Sequence, residues 1–211
     1  MKHIMIDLEM NPTGTGRDVL KNEVIEIGAV KLDGEFRVTD QFQCYVRPER
    51  GEVIKKITKL TGITQKDVEN AENFETAMER FLEWAGDEEY DIYSWSDSDL
   101  RQLVKEGKAK GCGSVGTLTD HWIDFQKEFG EMLGITKKLR LEYAVKCVDA
   151  EEEGRKHSAL WDAVNTGNLV RLSRNLPEFH KKAKAVIELF QPTQPLTIRD
   201  LCPALGCMAC S

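Results

Sequence analysis

The sequence predicts an α/β domain, with a mixed β-sheet flanked by helices. Three observations carry this expectation. The first 46 residues hold three runs with strand patterning, two of them separated by Asp33-Gly34. From residue 55 onward, apolar residues recur mainly at helical spacing. One β-branched and aromatic run, 91–95, interrupts the helical region. Strands followed by helices, one further strand and more helices make a mixed α/β sheet.

The elements follow in chain order. Residues 2–9 alternate, with Ile4, Ile6 and Leu8 against His3, Met5, Asp7 and Glu9, which is the period of a strand. Residues 24–33 (VIEIGAVKLD) are rich in β-branched side chains, and Asp33-Gly34 is a hairpin signal before the run 36–46. Three antiparallel strands therefore open the chain. KKITKLTGIT predicts a short helix ended by Gly62. Phe74, Ala77, Met78, Phe81, Leu82 and Ala85 form a helical stripe over 73–85. Residues 91–95 predict a fourth strand, and a helix is expected from about Ser98. Two more helices are expected within 118–133 and 138–147. Residues 149–156 (DAEEEGRK) form a polar loop with little to bury, and a long helix runs from about Ser158 to Arg174. The expected division is a domain over 1–176 and a C-terminal unit over 177–211, with an amphipathic stretch to about Phe190 and a tail.

Composition narrows the function. Hydrophobic residues make up 41% and charged residues 31% of the 211, the balance of a globular chain. No apolar run approaches the roughly 18 residues of a membrane span. The N-terminal MKHIMIDLEM turns acidic too soon for a signal peptide, so a cytoplasmic protein is expected. The net charge of −7 argues against broad polyanion binding but leaves room for an enzyme that grips one strand end. Cys44, Cys112 and Cys147 are scattered, as free thiols are. Cys202, Cys207 and Cys210 form C-x4-C-x2-C near the end. That cluster lacks a fourth zinc ligand nearby, and the tail reads as loosely packed.

Acids carry the chemistry. Asp7 and Glu9 share one face of the first strand. Two adjacent carboxylates in a buried sheet repel one another unless a cation sits between them, and hard oxygen donors favour Mg2+ or Mn2+. In HSALWDA, 157–163, His157 precedes a helix that carries Asp162, with small Ala159 and Ala163 allowing close approach. A histidine beside such a cluster can serve as a general base for water. YSWSDSDL, 93–100, offers Asp97 and Asp99 at a strand-to-helix junction. Either acid could instead decorate the helix N-terminus, where the dipole favours negative charge.

An early D-x-E, an Asp after the fourth strand and a late H-x4-D resemble the DEDDh 3′→5′ exonucleases. The runs around LTGIT, WSDSDL, WIDFQKEFGEML, KLRLEYAV and GRKHSALWDA are similar to the Eri-type and KapD-type branch, over roughly residues 2–174. The resemblance implies an RNase H-like fold and two divalent cations, Mg2+ or Mn2+. Asp7, Glu9, Asp99 and Asp162 would be the metal-binding acids, with Glu9 and His157 catalytic and His157 the general base. Asp99 is chosen over Asp97 because the branch resembles W-x3-D-[LM], which fits Trp95 and Asp99-Leu100. Leu8 and Leu60 match the positions that sandwich the terminal base. Two cations about 4 Å apart would then clamp the scissile phosphate. The implied substrate is a single-stranded or frayed RNA or DNA 3′ end, RNA foremost, releasing nucleoside 5′-monophosphates. Two other readings compete. One is a DNA-directed proofreading or repair exonuclease. The other is a non-enzymatic regulator with a protein partner, which the presence of all five catalytic residue types disfavours.

Overall fold

The computed structural model describes residues 2–13 and 20–190. The three opening strands are β1 (Lys2–Pro12), β2 (Asn22–Leu32) and β3 (Val38–Tyr45). The β2–β3 hairpin turns on Asp33, whose Oδ1 accepts the backbone N–H groups of Glu35 and Arg37, both at 2.9 Å. Two short helices, α1 (Lys55–Thr61) and α2 (Gln65–Val68), lead to α3 (Phe74–Ala85), which Asn73 caps. The chain then re-enters the sheet as β4 (Tyr90–Ser94) and leaves through α4 (Ser98–Lys110). The sheet order is β3-β2-β1-β4-β5, where β5 is Trp122–Asp124. β1 to β3 are antiparallel, whereas β4 and β5 run parallel to β1. This is the mixed sheet that the sequence predicted, and it agrees with the RNase H-like fold that the resemblance implies.

Two expected helices are corrected. Residues 118–124 are not helical in the expected way: a 3-10 segment covers Gly113–His121, β5 follows, and α5 spans Phe125–Leu133. A three-residue strand is too short to print a period of two. The Trp122 indole anchors it, donating to Ser94 Oγ at 2.8 Å. The helix expected from 138 starts only at Leu141, as α6 (Leu141–Cys147). The Leu139 carbonyl is held instead by the Trp95 indole at 3.0 Å and the Gln126 amide at 2.6 Å.

The last two helices, α7 (Ala159–Ser173) and α8 (Leu176–Phe190), complete the fold. Alternation sorts the strand side chains between two cores. Ile4, Ile6 and Leu8 join Ala77, Met78 and Phe81 of α3 on one face. Met5, Val30 and Leu32 join the helices of the other face, including Phe179 and Ala183 of α8. α7 lies across β1 and β2 on this second face. Its first turn rests on Gly28, where a Cβ would fall 2.0 Å from the Leu160 backbone nitrogen. No described helix is long and apolar enough to cross a membrane. Cys202, Cys207 and Cys210 lie outside the described residues.

Candidate active site

Alternation along β1 turns Asp7 and Glu9 toward α7, on the face that also carries Met5. β2 faces them in register, Asp7 opposite Gly28 and Glu9 opposite Glu26. Asp162 comes from the first turn of α7. Ligand atoms of Glu9, His157 and Asp162 all lie within 4.8 Å of one another. Asp99, in the first turn of α4, is only 4% exposed. α4 packs against β1, which brings the Asp99 carboxylate near enough to Asp7 to repel it.

Asp97 sits differently. It precedes α4 without making a capping hydrogen bond. Its carboxylate pairs with Arg101 at 2.9 Å and reaches Lys138 at 3.8 Å. The two acids of WSDSDL therefore separate into a surface ion pair and a buried carboxylate facing β1.

The electrostatics of the cluster are severe. Burial pushes Asp7 well above the usual carboxylate range, and Asp99, Asp162 and Glu9 add repulsion. Burial, Asp162 and Glu26 raise Glu9 to about 8, partly offset by Arg155. Asp99 and Asp162 each rise to about 7, chiefly through burial. No described lysine or arginine forms an ion pair with any of these four carboxylates. A set of oxygen donors held together without a directly paired counter-charge suits a hard divalent cation, which would restore the ionised forms.

His157 is exposed at the end of the polar loop, with a left-handed φ of 55°. The loop is anchored more firmly than its polar sequence suggests. Asn165, 2% exposed, accepts the Glu153 N–H at 2.8 Å and donates to the Glu153 carbonyl at 3.0 Å. Lys156 ties the loop to Glu142 of α6 at 3.3 Å and pairs with Glu152 inside the loop at 3.1 Å.

A cleft of about 500 Å3 opens beside these groups, lined by His157, Asp162, Leu60, Trp95, Arg140 and Leu141 among others. Leu60 is 47% exposed and forms part of the wall. The buried Asn11 side chain sets the start of its helix, accepting the Ile54 N–H at 3.0 Å. Gly62 ends that helix with φ 72°. A Cβ there would fall 1.9 Å from Arg155 Nη1, so the arginine lies across the turn.

Leu8 does not reach this cleft. It is 6% exposed and packs with Ile4 and Ile6 on the opposite face of the sheet. The expectation that it contacts a base is corrected: adjacent strand residues cannot share a face. From the sequence, Trp95 serves only as a motif marker, and Arg140, Leu141, Glu26 and Asn165 are not singled out. Trp95, Arg140 and Leu141 lie within the runs YSWSDSDL and KLRLEYAV, but nothing in a single sequence aims them at a cleft.

Acids from β1, α4 and α7, gathered at one end of this sheet, define the class of RNase H-like exonuclease folds. The chain belongs to the RNase T exonuclease family, whose profile matches residues 4–170. It is 26% identical over 157 residues to 3′-5′ exoribonuclease 1 of Rattus norvegicus, covering 70% of this chain and 46% of that protein. It is 25% identical over 179 residues to ERI1 exoribonuclease 3 of Homo sapiens, covering 80% and 53%. The chain thus spans about half the length of these curated relatives. Its fold is similar to the nuclease domain of 3′hExo, a DEDDh family member solved bound to rAMP. That match has a TM-score of 0.75 and 22% identity, over 82% of this chain and 92% of the other. The resemblance to DEDDh exonucleases read from the motifs agrees with these matches.

Proposed function

We propose that this chain is a metal-dependent 3′→5′ exonuclease that trims single-stranded or frayed ends, RNA foremost, and releases nucleoside 5′-monophosphates. The observation that carries the reading is the meeting of Glu9, His157 and Asp162 within 4.8 Å at the mouth of a cleft. The names of the relatives, exoribonucleases in rat and human, favour RNA. Asp7, Glu9, Asp99 and Asp162 are the residues proposed to hold two divalent cations, Mg2+ or Mn2+. When bound, such ions supply Lewis acidity and charge neutralisation at the scissile phosphate.

The remaining work falls to the chain. His157 takes the proton of the attacking water, which requires a neutral imidazole. Its exposure lets that proton pass on to solvent. Leu60 and Leu141 offer apolar surface to the terminal base without reading its identity. Arg140 places positive charge along the same wall, where phosphates of the strand would lie. The unpaired thiols Cys44, Cys112 and Cys147 suit a reducing compartment such as the cytoplasm.

The test is incubation with 5′-labelled single-stranded RNA and DNA, with Mg2+ or Mn2+ and with chelator. Stepwise shortening with 5′-monophosphate release, lost on chelation and faster on RNA, is expected. An intact RNA in the presence of metal would refute the reading.

A further inference from the structure

Glu26 is the one buried acid of the cluster that the proposed chemistry leaves idle. It is 0% exposed and stands directly across the β1–β2 ladder from Glu9. Like charges in that relation destabilise a sheet, and a buried carboxylate without partners is costly. Its partners explain the position. Glu26 Oε1 accepts the Gln43 amide from β3 at 2.6 Å. Glu26 Oε2 accepts the backbone N–H of Ala159 at 3.2 Å.

Ala159 is the first residue of α7, and its N–H is one of the groups that a helix cannot satisfy internally. Ser158, at the ordinary capping position, supplies no side-chain hydrogen bond. The cap comes instead from a strand 133 residues away, with a negative charge that the helix dipole favours. Two residues along β2, Gly28 lets the Ala159–Leu160 backbone settle onto the sheet. A tether and a close contact thus fix the same turn. His157 lies two residues before that turn's first residue, and Asp162 three residues after it.

We infer that Glu26 is a positioning residue, which tethers the N-terminal turn of α7 to β2 so that His157 and Asp162 meet Glu9. The inference rests on the proposed function for its kinetic consequence but not for its geometry. Both Glu26 oxygens are occupied by N–H donors, so the carboxylate acts as a strut.

The full-length chain should be compared with Glu26→Ala, Glu26→Gln and Gln43→Ala. Glu26→Ala removes the tether. Glu26→Gln keeps an oxygen for the Ala159 N–H, and its amide can donate to a rotated Gln43. In metal-free protein, the His157 imidazole resonance should move in the alanine variant and return in the glutamine variant. His3, His121 and His180 serve as internal controls. With metal and RNA, Glu26→Ala should lower kcat by about 10²-fold, the scale of a small misplacement of catalytic groups. KM should change little, and Glu26→Gln should restore most of kcat. Gln43 is exposed, so Gln43→Ala should fold even if Glu26→Ala does not, and should give a smaller shift of the same resonance. An unmoved His157 resonance in Glu26→Ala, or in Gln43→Ala where Glu26→Ala fails to fold, would overturn the inference. So would a glutamine variant that restores neither resonance nor rate. If the unsubstituted chain releases no nucleotide, the proposed function fails, while the resonance still decides the tether.

Discussion

Ligand atoms of His157 and Asp162 lie within 4.8 Å of one another across the head of α7. One short stretch of chain therefore presents both groups to Glu9. His157 reaches that position with a left-handed backbone, which is unfavourable at a non-glycine residue.

His157→Ala should leave the carboxylates in place and remove only the proton acceptor. Mn2+ binding, followed by calorimetry, should stay close to that of the unsubstituted chain. The rate should fall by roughly 10²- to 10⁴-fold, the usual cost of losing a general base. An unchanged rate at neutral pH would remove His157 from the chemistry.

Asp99→Asn should abolish monophosphate release, because it removes a negative charge from the buried set against β1. Asp97→Asn should leave most activity, since it loses an exposed pair with Arg101 worth only about 0.2–0.5 kcal/mol. Both variants should be compared at saturating Mn2+, with folding checked by circular dichroism. A dead Asp97 variant beside an active Asp99 variant would reverse the assignment.

Stability without metal should fall as pH rises from about 5 to 8. The folded chain keeps protons on Glu9 up to about 8 and on Asp99 and Asp162 up to about 7, whereas unfolded carboxyls release theirs near pH 4. Between those limits the folded state binds more protons, so raising pH favours unfolding. Added Mg2+ or Mn2+ should raise Tm, and by more at pH 8 than at pH 5, because ionised acids bind it better. Thermal melts across pH with and without cation give the answer. A metal-free Tm that does not decline would show that burial and mutual repulsion do not keep these acids protonated.

Asn165→Ala should loosen the loop that carries His157. It strands the Glu153 N–H and carbonyl and should cost about 1–3 kcal/mol. Hydrogen exchange should quicken across 150–157 while β1 stays protected. Equal protection in both segments would mean that other contacts, such as those of Lys156, carry the loop.

The sheet and most helices were legible because their patterns are local. Period two along 2–9 placed Asp7 and Glu9 on one face, and the stripe over 73–85 gave α3 nearly to the residue. The same alternation puts Leu8 on the other face, which motif position, carrying no side-chain direction, does not register. β5 escaped because three residues cannot display a period. Glu26 and Asn165 escaped for a different reason. Each looks like an ordinary polar residue within an apolar run, and its partners become visible only when distant segments meet. Asp97 and Asp99 could be ranked by motif spacing, but only packing against β1 separates a surface ion pair from a buried acid.

The cluster is assembled from opposite ends of the domain, with Asp7 and Glu9 on the first strand and Asp162 on the helix that closes over it. During synthesis the emerging chain carries its first two acids long before its last. Domains complete their packing only once distant segments are available. A ribosome making this protein would thus hold a partial fold with the acidic cluster still unfinished. Sequence distance acts here as a delay, and a circular permutant that brought α7 out first would shorten it.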